Sequence, residues 1–440
     1  MNGGRSKPIE IAANGVETDS SGRTRREFIR TLVVAGGSAL ALGLIYHEWP
    51  RPRRIIHVII LGAGLAGLCA AYELGRLGHL VTILEAEQNH LGGRVRTFRF
   101  EGGLYGELGA MRIPQSHLLT HHYIRLFDLP LRPFVEFNPE AFYYVGGRHR
   151  RIKDVGRLDT RYAVQSGGLG AVSIWKEPFT EIIGGLDRLP AAFVERLQSR
   201  PRGGSVVNRI EQDYPSRRAA VIYREGSVAK RVEGDFILCT IPFPALQAVT
   251  VSPPWSAAKE IALRQLKYSS ASKTLVAVER RFWEADDGIF GGATYTDLPT
   301  GMIYYPSDNA RVKNPRVSAG PGVLVGSYAL GKSAKKLDAL TPAQQSALVQ
   351  GSVQQVHPQL GEPGIQRQIA TMNWDQHPWS GGAFAQVDNL DQWRQAGFAA
   401  EGRVHFAGEH TSLHPTWMQG ALESALRAVR EILAAAAAMP

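Results

Sequence analysis

The sequence predicts an α/β fold whose folded part begins with a Rossmann-like nucleotide-binding unit at residues 57–85. Residues 57–61 are mostly apolar, as in a buried parallel strand, and a Gly-x-Gly-x-x-Gly turn at 62–67 follows directly. A helical pattern at 68–77 leads to a second apolar run at 80–84, which ends at Glu85. A glycine turn alone is weak evidence, but strand, turn, helix, strand and acid in this order predict dinucleotide binding.

Each part of the glycine turn has a physical role. Gly62 makes the tight turn, Gly64 lets the backbone approach a pyrophosphate, and Gly67 allows close packing of helix on strand. The helix N-terminus offers free N–H groups to the phosphates, and the acid after the second strand accepts hydrogen bonds from a ribose. The residues predicted to contact the dinucleotide in this unit are Gly62, Gly64, Leu65, Ala66, Gly67, Glu85 and Ala86.

Composition and charge narrow the class of protein. Hydrophobic residues make up 44% and charged residues 20% of the 440-residue chain, which is typical of a globular protein. The formal charge is +10, but no basic run interleaved with aromatic residues follows the N-terminal segment, so we expect no nucleic-acid partner. Both cysteines, Cys69 and Cys239, lie in apolar runs, and the histidines form no ligand cluster. We therefore expect buried thiols and no metal site.

The N-terminal segment has the features of an export signal. Residues 1–23 are polar, and the paired arginines Arg25 and Arg26 precede a short apolar stretch at 31–46. This pattern resembles a twin-arginine signal, which directs folded proteins out of the cytoplasm. The alternative is a basic tail before an unrelated apolar helix. The stretch is short for a membrane span, but an uncleaved signal would hold the protein near a membrane. We expect a periplasmic or extracellular protein.

A glycine-rich segment directly after the nucleotide-binding unit indicates the cofactor. Residues 91–97, Leu-Gly-Gly-Arg-Val-Arg-Thr, resemble the GGR motif of the flavin amine oxidase superfamily, which holds monoamine oxidases, polyamine oxidases and L-amino acid oxidases. Further segments along the folded chain resemble motifs of the same superfamily, at 183–190, 207–212, 235–242 and 404–412. The resemblance is closest to L-amino acid oxidases and implies FAD.

The resemblance also implies particular FAD contacts. In the family the GGR arginine lies against the phosphates, a valine backbone meets the adenine and a glutamate meets the ribityl chain, which implies Arg94, Val207 and Glu409. Monoamine oxidases carry a flavin-linked cysteine where this chain has Ala383, so we expect non-covalent FAD. The other residues implied as FAD contacts are Gly93, Gly109, Ala110, Met111, Arg112, Trp374, Gly408, Thr416 and Trp417.

The matched segments predict two interleaved domains after a tail and signal at 1–53. We expect an FAD-binding domain from 54–115, 184–250 and 400–436, and an α+β substrate-binding domain from 116–183 and 251–399. L-amino acid oxidases usually place a long helical insertion in the first substrate segment, but only 36 residues separate Gly147 from Gly184. We therefore expect a shortened insertion, with a pocket that is more open or is closed by a second subunit or partner protein.

Arg112 is the residue on which the predicted substrate depends. Residues 106–114 resemble the ExGxMRxP segment of L-amino acid oxidases, in which the arginine binds the substrate carboxylate; simple amine oxidases generally lack an arginine there. A planar guanidinium matches a carboxylate with two parallel hydrogen bonds. The alternative is a structural arginine that is paired with a nearby acid.

A lysine and three aromatic residues complete the predicted site. Lys273 begins an apolar strand nine residues before Phe282 and resembles the family's lysine, which holds a water near flavin N5 and assists flavin reoxidation or imine hydrolysis. Trp417 resembles one wall of the family's substrate cage, and Trp379 and Phe384 lie in the segment that gives the opposite wall. A solvated lysine and core aromatic residues are the alternatives. The predicted catalytic residues are Lys273, Arg112 and Trp417, and the predicted substrate contacts are Arg112, Trp379, Phe384 and Trp417.

These residues predict oxidation of an L-amino acid to an imino acid, which hydrolyses to a 2-oxo acid and ammonia. FAD supplies the oxidising chemistry, and oxygen reoxidises it to give hydrogen peroxide. Four alternatives stay open: an amine or polyamine oxidase, an amino-acid dehydrogenase that reduces a quinone, an amino-acid 2-monooxygenase, and a flavin-bearing partner subunit without turnover.

Overall fold

The computed structural model describes residues 49–155, 177–213, 218–387 and 393–439. The predicted export signal and most of the predicted short insertion, at 156–176, lie outside the described residues.

The strands of the described residues are mostly short, and several follow one another along the chain without an α-helix between them. In chain order they are β1 His57–Leu61, β2 Leu80–Leu84, β3 Thr97–Arg99, β4 Tyr105–Glu107, β5 Ile113–Pro114, β6 Leu131–Phe134, β7 Phe142–Val145, β8 Arg148–Arg151, β9 Phe179–Ile182, β10 Ser205–Asp213, β11 Arg218–Glu225, β12 Val228–Gly234, β13 Phe236–Cys239, β14 Thr250–Ser252, β15 Lys267–Ser269, β16 Ala271–Val278, β17 Gly292–Thr296, β18 Met302–Tyr305, β19 Gly322–Leu330, β20 Gln366–Asn373, β21 Phe384–Gln386 and β22 Val404–Phe406.

The α-helices are mostly short, and the C-terminal one is the longest of those described. They are α1 Leu65–Arg76, α2 Leu118–Leu126, α3 Arg188–Glu195, α4 Phe243–Leu246, α5 Ala257–Gln265, α6 Phe282–Ala285, α7 Pro315–Ser318, α8 Gly331–Asp338, α9 Pro342–Val356 and α10 Met418–Ala437. In the part of the chain that the structure describes, no helix is both long and apolar enough to cross a membrane.

A parallel sheet in the order β2-β1-β13-β22 contains the predicted nucleotide-binding unit. Its central strands are runs of branched apolar residues because helices or further strands cover both faces. On one face, Leu68 of α1 and Leu426 of α10 are fully buried in the same cluster. On the other face, Ile59 packs in a cluster with Val221 of the antiparallel sheet β12-β11-β10-β14. Three distant chain segments therefore meet in this one sheet.

A largely antiparallel sheet in the order β20-β16-β19-β18-β17-β7-β8 forms the other half of the molecule. All its strands come from 142–151 and 271–373, inside the two predicted substrate-domain segments. A small sheet, β5-β9-β6, pairs Ile113 of the predicted FAD segment with Thr180 of the predicted substrate segment. The domain boundaries stay a prediction.

Candidate active site

A cavity of about 750 Å³ runs from the turn after β1 to the large antiparallel sheet, and its size suits a large organic ligand. Residues of both halves of the molecule line it. Of the residues predicted for the site, those lining the cavity are Gly62, Gly64, Leu65, Ala66, Glu85, Ala86, Gly93, Arg94, Gly109, Ala110, Met111, Arg112, Val207, Lys273, Trp374, Trp379, Phe384, Gly408, Glu409, Thr416 and Trp417. The remaining one, Gly67, packs behind the cavity wall.

The glycines of the first turn differ in what surrounds them. Gly62 has a φ of +103°, which favours glycine. A Cβ on Gly64 would meet nothing within 4 Å, so its backbone faces open cavity. A Cβ on Gly67 would lie 2.0 Å from the carbonyl oxygen of Gly62, so only glycine lets α1 begin this close to β1. The turn therefore leaves a cradle beside the N-terminus of α1, as a pyrophosphate requires.

Alanine at Gly64 and at Gly67 is expected to have different effects. Gly67→Ala forces apart α1 and the preceding turn and should lower the free energy of unfolding by about 3 kcal/mol, the upper end for overpacking. Gly64→Ala has room in the protein alone but places a methyl group where the cofactor approaches. It should keep the thermal midpoint of the apoprotein and weaken cofactor binding at least about 10-fold. Thermal unfolding and cofactor titration of both variants check this; equal loss of stability in both would contradict it.

Glu85 lies at the end of β2, where the predicted ribose contact is expected. Its carboxylate accepts hydrogen bonds from the backbone N–H of Ala63, at 2.7 Å, and of Glu87, at 2.8 Å. Burial raises the pKa of Glu85, and these N–H donors oppose the shift. The carboxylate thus ties the glycine turn to the end of β2, and the same residue lines the cavity.

Two residues predicted to contact FAD from opposite ends of the sequence form an ion pair. Arg94 Nη1 donates to Glu409 Oε1 at 2.7 Å and to the carbonyl oxygen of Ala383 at 3.0 Å. The other oxygen of Glu409 accepts from the backbone N–H of Thr416 at 2.7 Å. Thr416 holds a φ of +78°, a strained value for a β-branched residue. Glu409 therefore fixes both the GGR segment and the loop before Trp417.

Arg112 extends from the β4–β5 connection into the cavity beside an acid. Its Nε lies 3.3 Å from Glu136 Oε2, and each side chain is 12% exposed. Burial opposes the charge of Arg112, but Tyr304, Glu136 and two further tyrosines raise its pKa, so it stays cationic. Among the described residues, Arg112 Nε and Glu136 Oε2 are buried atoms without a hydrogen-bond partner, so their contact is an ion pair and not a hydrogen bond. The structure therefore contains the acid that the structural alternative requires, and it also places Arg112 in the lining of the cavity.

Lys273 lies on β16 with its ammonium group buried at the cavity wall. Its Nζ donates to the carbonyl oxygen of Gly109 at 2.5 Å and lies 3.5 Å from that of Glu107. Burial and the nearby charge of Arg112 lower the pKa of Lys273 to about 7. Glu107 and Glu136 oppose this shift. A lysine that gains and loses its proton near neutral pH is suited to proton transfer or to electrostatic control.

A row of side chains on the large sheet extends the site beyond the sequence prediction. Tyr328 on β19 pairs in register with both Lys273 on β16 and Met302 on β18, so the three side chains share one face. All three, and Tyr304, line the cavity. A bulge at Gly326 places Tyr328 on this face. Sequence reasoning identified Lys273 but missed Met302, Tyr304 and Tyr328, because they belong to no motif and only cross-strand register brings them beside the lysine.

Aromatic side chains form the remaining walls. The Trp417 ring packs edge-on against His117 with centroids 4.9 Å apart. Trp374 is 3% exposed and donates its indole N–H to the carbonyl oxygen of Leu108 at 3.0 Å. Trp379 is 36% exposed, so it lies toward solvent. Phe384 lines the cavity from β21. These side chains give the cavity aromatic walls in addition to Lys273 and Arg112.

Comparisons with known proteins agree with this geometry. The sequence profile of the family described as flavin containing amine oxidoreductase matches residues 65–165 and 157–433. The L-amino-acid oxidase of Protobothrops flavoviridis is 28% identical over 459 aligned positions, which cover 86% of this chain and 88% of that protein. That of Vipera ammodytes ammodytes is 29% identical over 460 positions, covering 86% and 92%. The alignment has 459 positions, but only 86% of the 440 residues of this chain take part in it. The relatives therefore contain residues in the aligned region that this chain lacks.

A putrescine oxidase bound to putrescine superposes with a TM-score of 0.69 at 16% identity, covering 87% of this chain and 99% of that one. At that identity the likeness shows the fold, which confirms the predicted α/β class. The open cradle at Gly64 fits the pyrophosphate of a dinucleotide. Because the family profile matches well over half of the chain, the protein belongs to the flavin-containing amine oxidoreductases and is an FAD-dependent enzyme.

Proposed function

We propose that the protein oxidises an L-amino acid with FAD and oxygen, giving a 2-oxo acid, ammonia and hydrogen peroxide. One amino acid, one oxygen and one water are consumed, so the atoms balance. The observation that carries the proposal is Arg112: it is largely buried, it stays cationic, and it lines the cavity. A largely buried guanidinium in a cavity wall suits a carboxylate, which amines lack. The L-amino-acid oxidases among the relatives support the same substrate class.

Each wall of the cavity has a role in this reaction. Arg112 and Tyr328 hold the substrate carboxylate at the sheet face. Trp417 and Phe384 confine the amine end and exclude water, which favours the neutral amine. When bound, FAD would supply the oxidising group for the α-carbon of the substrate. Lys273 holds a water and exchanges its proton near pH 7. The predicted FAD contacts complete the proposal, with the Arg94–Glu409 pair fixing the loops around the cofactor.

A second candidate is an oxidase of simple amines. Glu136 favours it, because an arginine already paired with an acid can be structural. In that case Arg112 would only balance the charge of Glu136, and the substrate would bind through its amine end among the aromatic walls. The putrescine oxidase fold is compatible with either substrate class.

An anaerobic screen of flavin reduction separates the candidates. The oxidised holoenzyme is mixed with L-amino acids and with the matching decarboxylated amines, and bleaching of the flavin is followed. We expect bleaching by amino acids at least about 100-fold faster than by the amines at equal concentration, because only the former use Arg112. Equal rates would overturn the amino-acid proposal.

The same screen tests the electron acceptor and the alternative without turnover. Rapid return of the flavin colour on admission of air is expected for an oxidase. Slow return in air but rapid return with a soluble quinone would show a dehydrogenase instead. Detection of an amide product would show a monooxygenase, and absence of bleaching by every compound would favour a partner subunit.

We further propose that the FAD is non-covalent and that the enzyme is exported. Of the chain's two cysteines, both are buried away from the cavity lining, so no cysteine is placed to bond the flavin. The twin-arginine pattern at 25–26 supports export to the periplasm or beyond, with membrane association if the signal is retained. Acid precipitation should release free FAD, and an Arg25→Lys/Arg26→Lys variant should stay in the cytoplasm.

A further inference from the structure

We infer that Glu136 is a positioning residue that holds the guanidinium of Arg112 with its Nη edge toward the substrate carboxylate. The inference rests on the proposed amino-acid substrate. Glu136 follows β6 and is not among the residues that line the cavity, so its carboxylate meets Arg112 from behind the cavity lining. Its Oε2 faces Arg112 Nε, the nitrogen farthest from the fork of the two Nη groups.

Tyr304 holds Glu136 in turn. The Tyr304 hydroxyl donates to Glu136 Oε1 at 3.0 Å, while the other oxygen faces Arg112. The carboxylate therefore presents one oxygen to each partner, through a hydrogen bond from Tyr304 and an ion pair with Arg112 that is not a hydrogen bond. The guanidinium also lies 5.6 Å from the Phe179 ring centroid and 5.9 Å from that of Tyr304. The guanidinium therefore lies beside two aromatic rings and an acid. These neighbours restrict the orientation of its plane before substrate binds.

Charge gives Glu136 a second effect on the site. Arg112 and Lys273 are two buried basic groups that line one cavity, and the Glu136 carboxylate, 3.3 Å from Arg112 Nε, raises the pKa of both. The groups acting on Lys273 are Arg112, which lowers its pKa, and Glu107 and Glu136, which raise it; the Tyr328 ring lies 4.6 Å from Nζ. Removing the charge of Glu136 alone must therefore favour the neutral amine of Lys273.

Two variants separate position from charge. Glu136→Leu removes both, and we expect the KM for L-amino acids to rise about 10-fold to 100-fold, as for residues that orient a ligand-binding group. The kcat at saturation and the KM for an amine should change less than about 3-fold. Glu136→Gln keeps an acceptor oxygen, so its KM should stay within about 3-fold of the parent, while the pH midpoint of its flavin reoxidation moves to lower pH.

Glu181→Gln is the matched control. Glu181 is paired with Arg132 and is 13% exposed, close to the 12% of Glu136, but it does not line the main cavity. It should change neither the KM for amino acids nor the pH midpoint. If Glu136→Leu fails to fold, Tyr304→Phe tests the same hold on the carboxylate and should raise the KM for amino acids about 3-fold to 10-fold.

The outcomes also distinguish this inference from the proposed function. Benzoate, a carboxylate without an amine, serves as a probe through its perturbation of the flavin spectrum in the holoenzyme. The parent enzyme is expected to oxidise amino acids and to bind benzoate. If Glu136→Leu has the same KM for amino acids and the same Kd for benzoate as the parent, the positioning role is wrong. An unmoved pH midpoint in Glu136→Gln would likewise overturn the charge effect. If the parent enzyme prefers amines and ignores benzoate, the proposed function itself has failed.

Discussion

Replacement of Arg112 by methionine is expected to raise the KM for L-amino acids about 100-fold to 1,000-fold. The Arg112 side chain is 12% exposed and lines the cavity, so a substrate carboxylate would be held by a charged pair away from bulk water. Truncating one partner of such a buried pair costs about 2–5 kcal/mol. The measurement is kcat/KM by peroxide release, for an amino acid and for its decarboxylated amine. The kcat/KM for the amine should change less than about 3-fold.

Two controls make the Arg112 result specific. Arg112→Met leaves Glu136 as a buried acid without its cation, which could itself raise the KM. The double variant Arg112→Met/Glu136→Gln removes that unpaired charge. If the KM stays high in the double variant, the lost contact to the substrate carboxylate is the cause. Arg132→Met removes another partly buried arginine, which is paired with Glu181 and does not line the main cavity. It should leave the KM unchanged. If kcat/KM falls by the same factor for the amino acid and for the amine in Arg112→Met, the arginine is structural.

Replacement of Lys273 by methionine is expected to slow flavin reoxidation by oxygen about 100-fold or more. Negative charge develops on oxygen as it takes up electrons, and a cation fixed in a buried site stabilises that charge far more than one in water. Lys273 is 3% exposed and is oriented by the carbonyl oxygen of Gly109. Stopped-flow reoxidation of the anaerobically reduced enzyme measures this rate. Anaerobic reduction by substrate should fall much less, because the carboxylate contact is untouched.

The pH dependence of the same rate has a definite sign. Burial and Arg112 lower the pKa of Lys273 to about 7 from an ordinary 10.5, so the ammonium form is present below that pH and is lost above it. The reoxidation rate should therefore fall as the pH rises through about 7 in the parent enzyme. In Lys273→Met it should be flat over that range. A rate that rises with pH would assign Lys273 a role as a base instead.

The sequence specified the nucleotide-binding unit because that unit is local. The strand at 57–61, the glycine turn and the second strand at 80–84 are consecutive in the chain, and each glycine meets a steric demand of its own backbone. The observed helix begins at Leu65, inside the glycine motif, rather than at 68. Family resemblance also identified Arg94 and Glu409, but not their mutual contact at 2.7 Å, because pairing between distant segments has no local signal.

The substrate side of the cavity depends on register, which the sequence does not show. In β19, strict alternation would place Tyr328 on the face opposite Val325, whereas the bulge at Gly326 places both on the face that carries Lys273. Glu136 was likewise absent from the predicted site, since it lies in a loop without a motif and meets Arg112 only through the fold.

The amino-acid sequence by itself determined the family, the FAD cradle and the residue types that oxidise an amine-bearing carbon. These properties depend on short motifs whose geometry is set by neighbouring residues. The tertiary structure decided how Arg112 is held, which tyrosines accompany Lys273 and how far burial lowers the pKa of that lysine. Those properties depend on charges and strands from separate segments, because electrostatic energy and cross-strand packing follow distance in space rather than along the chain.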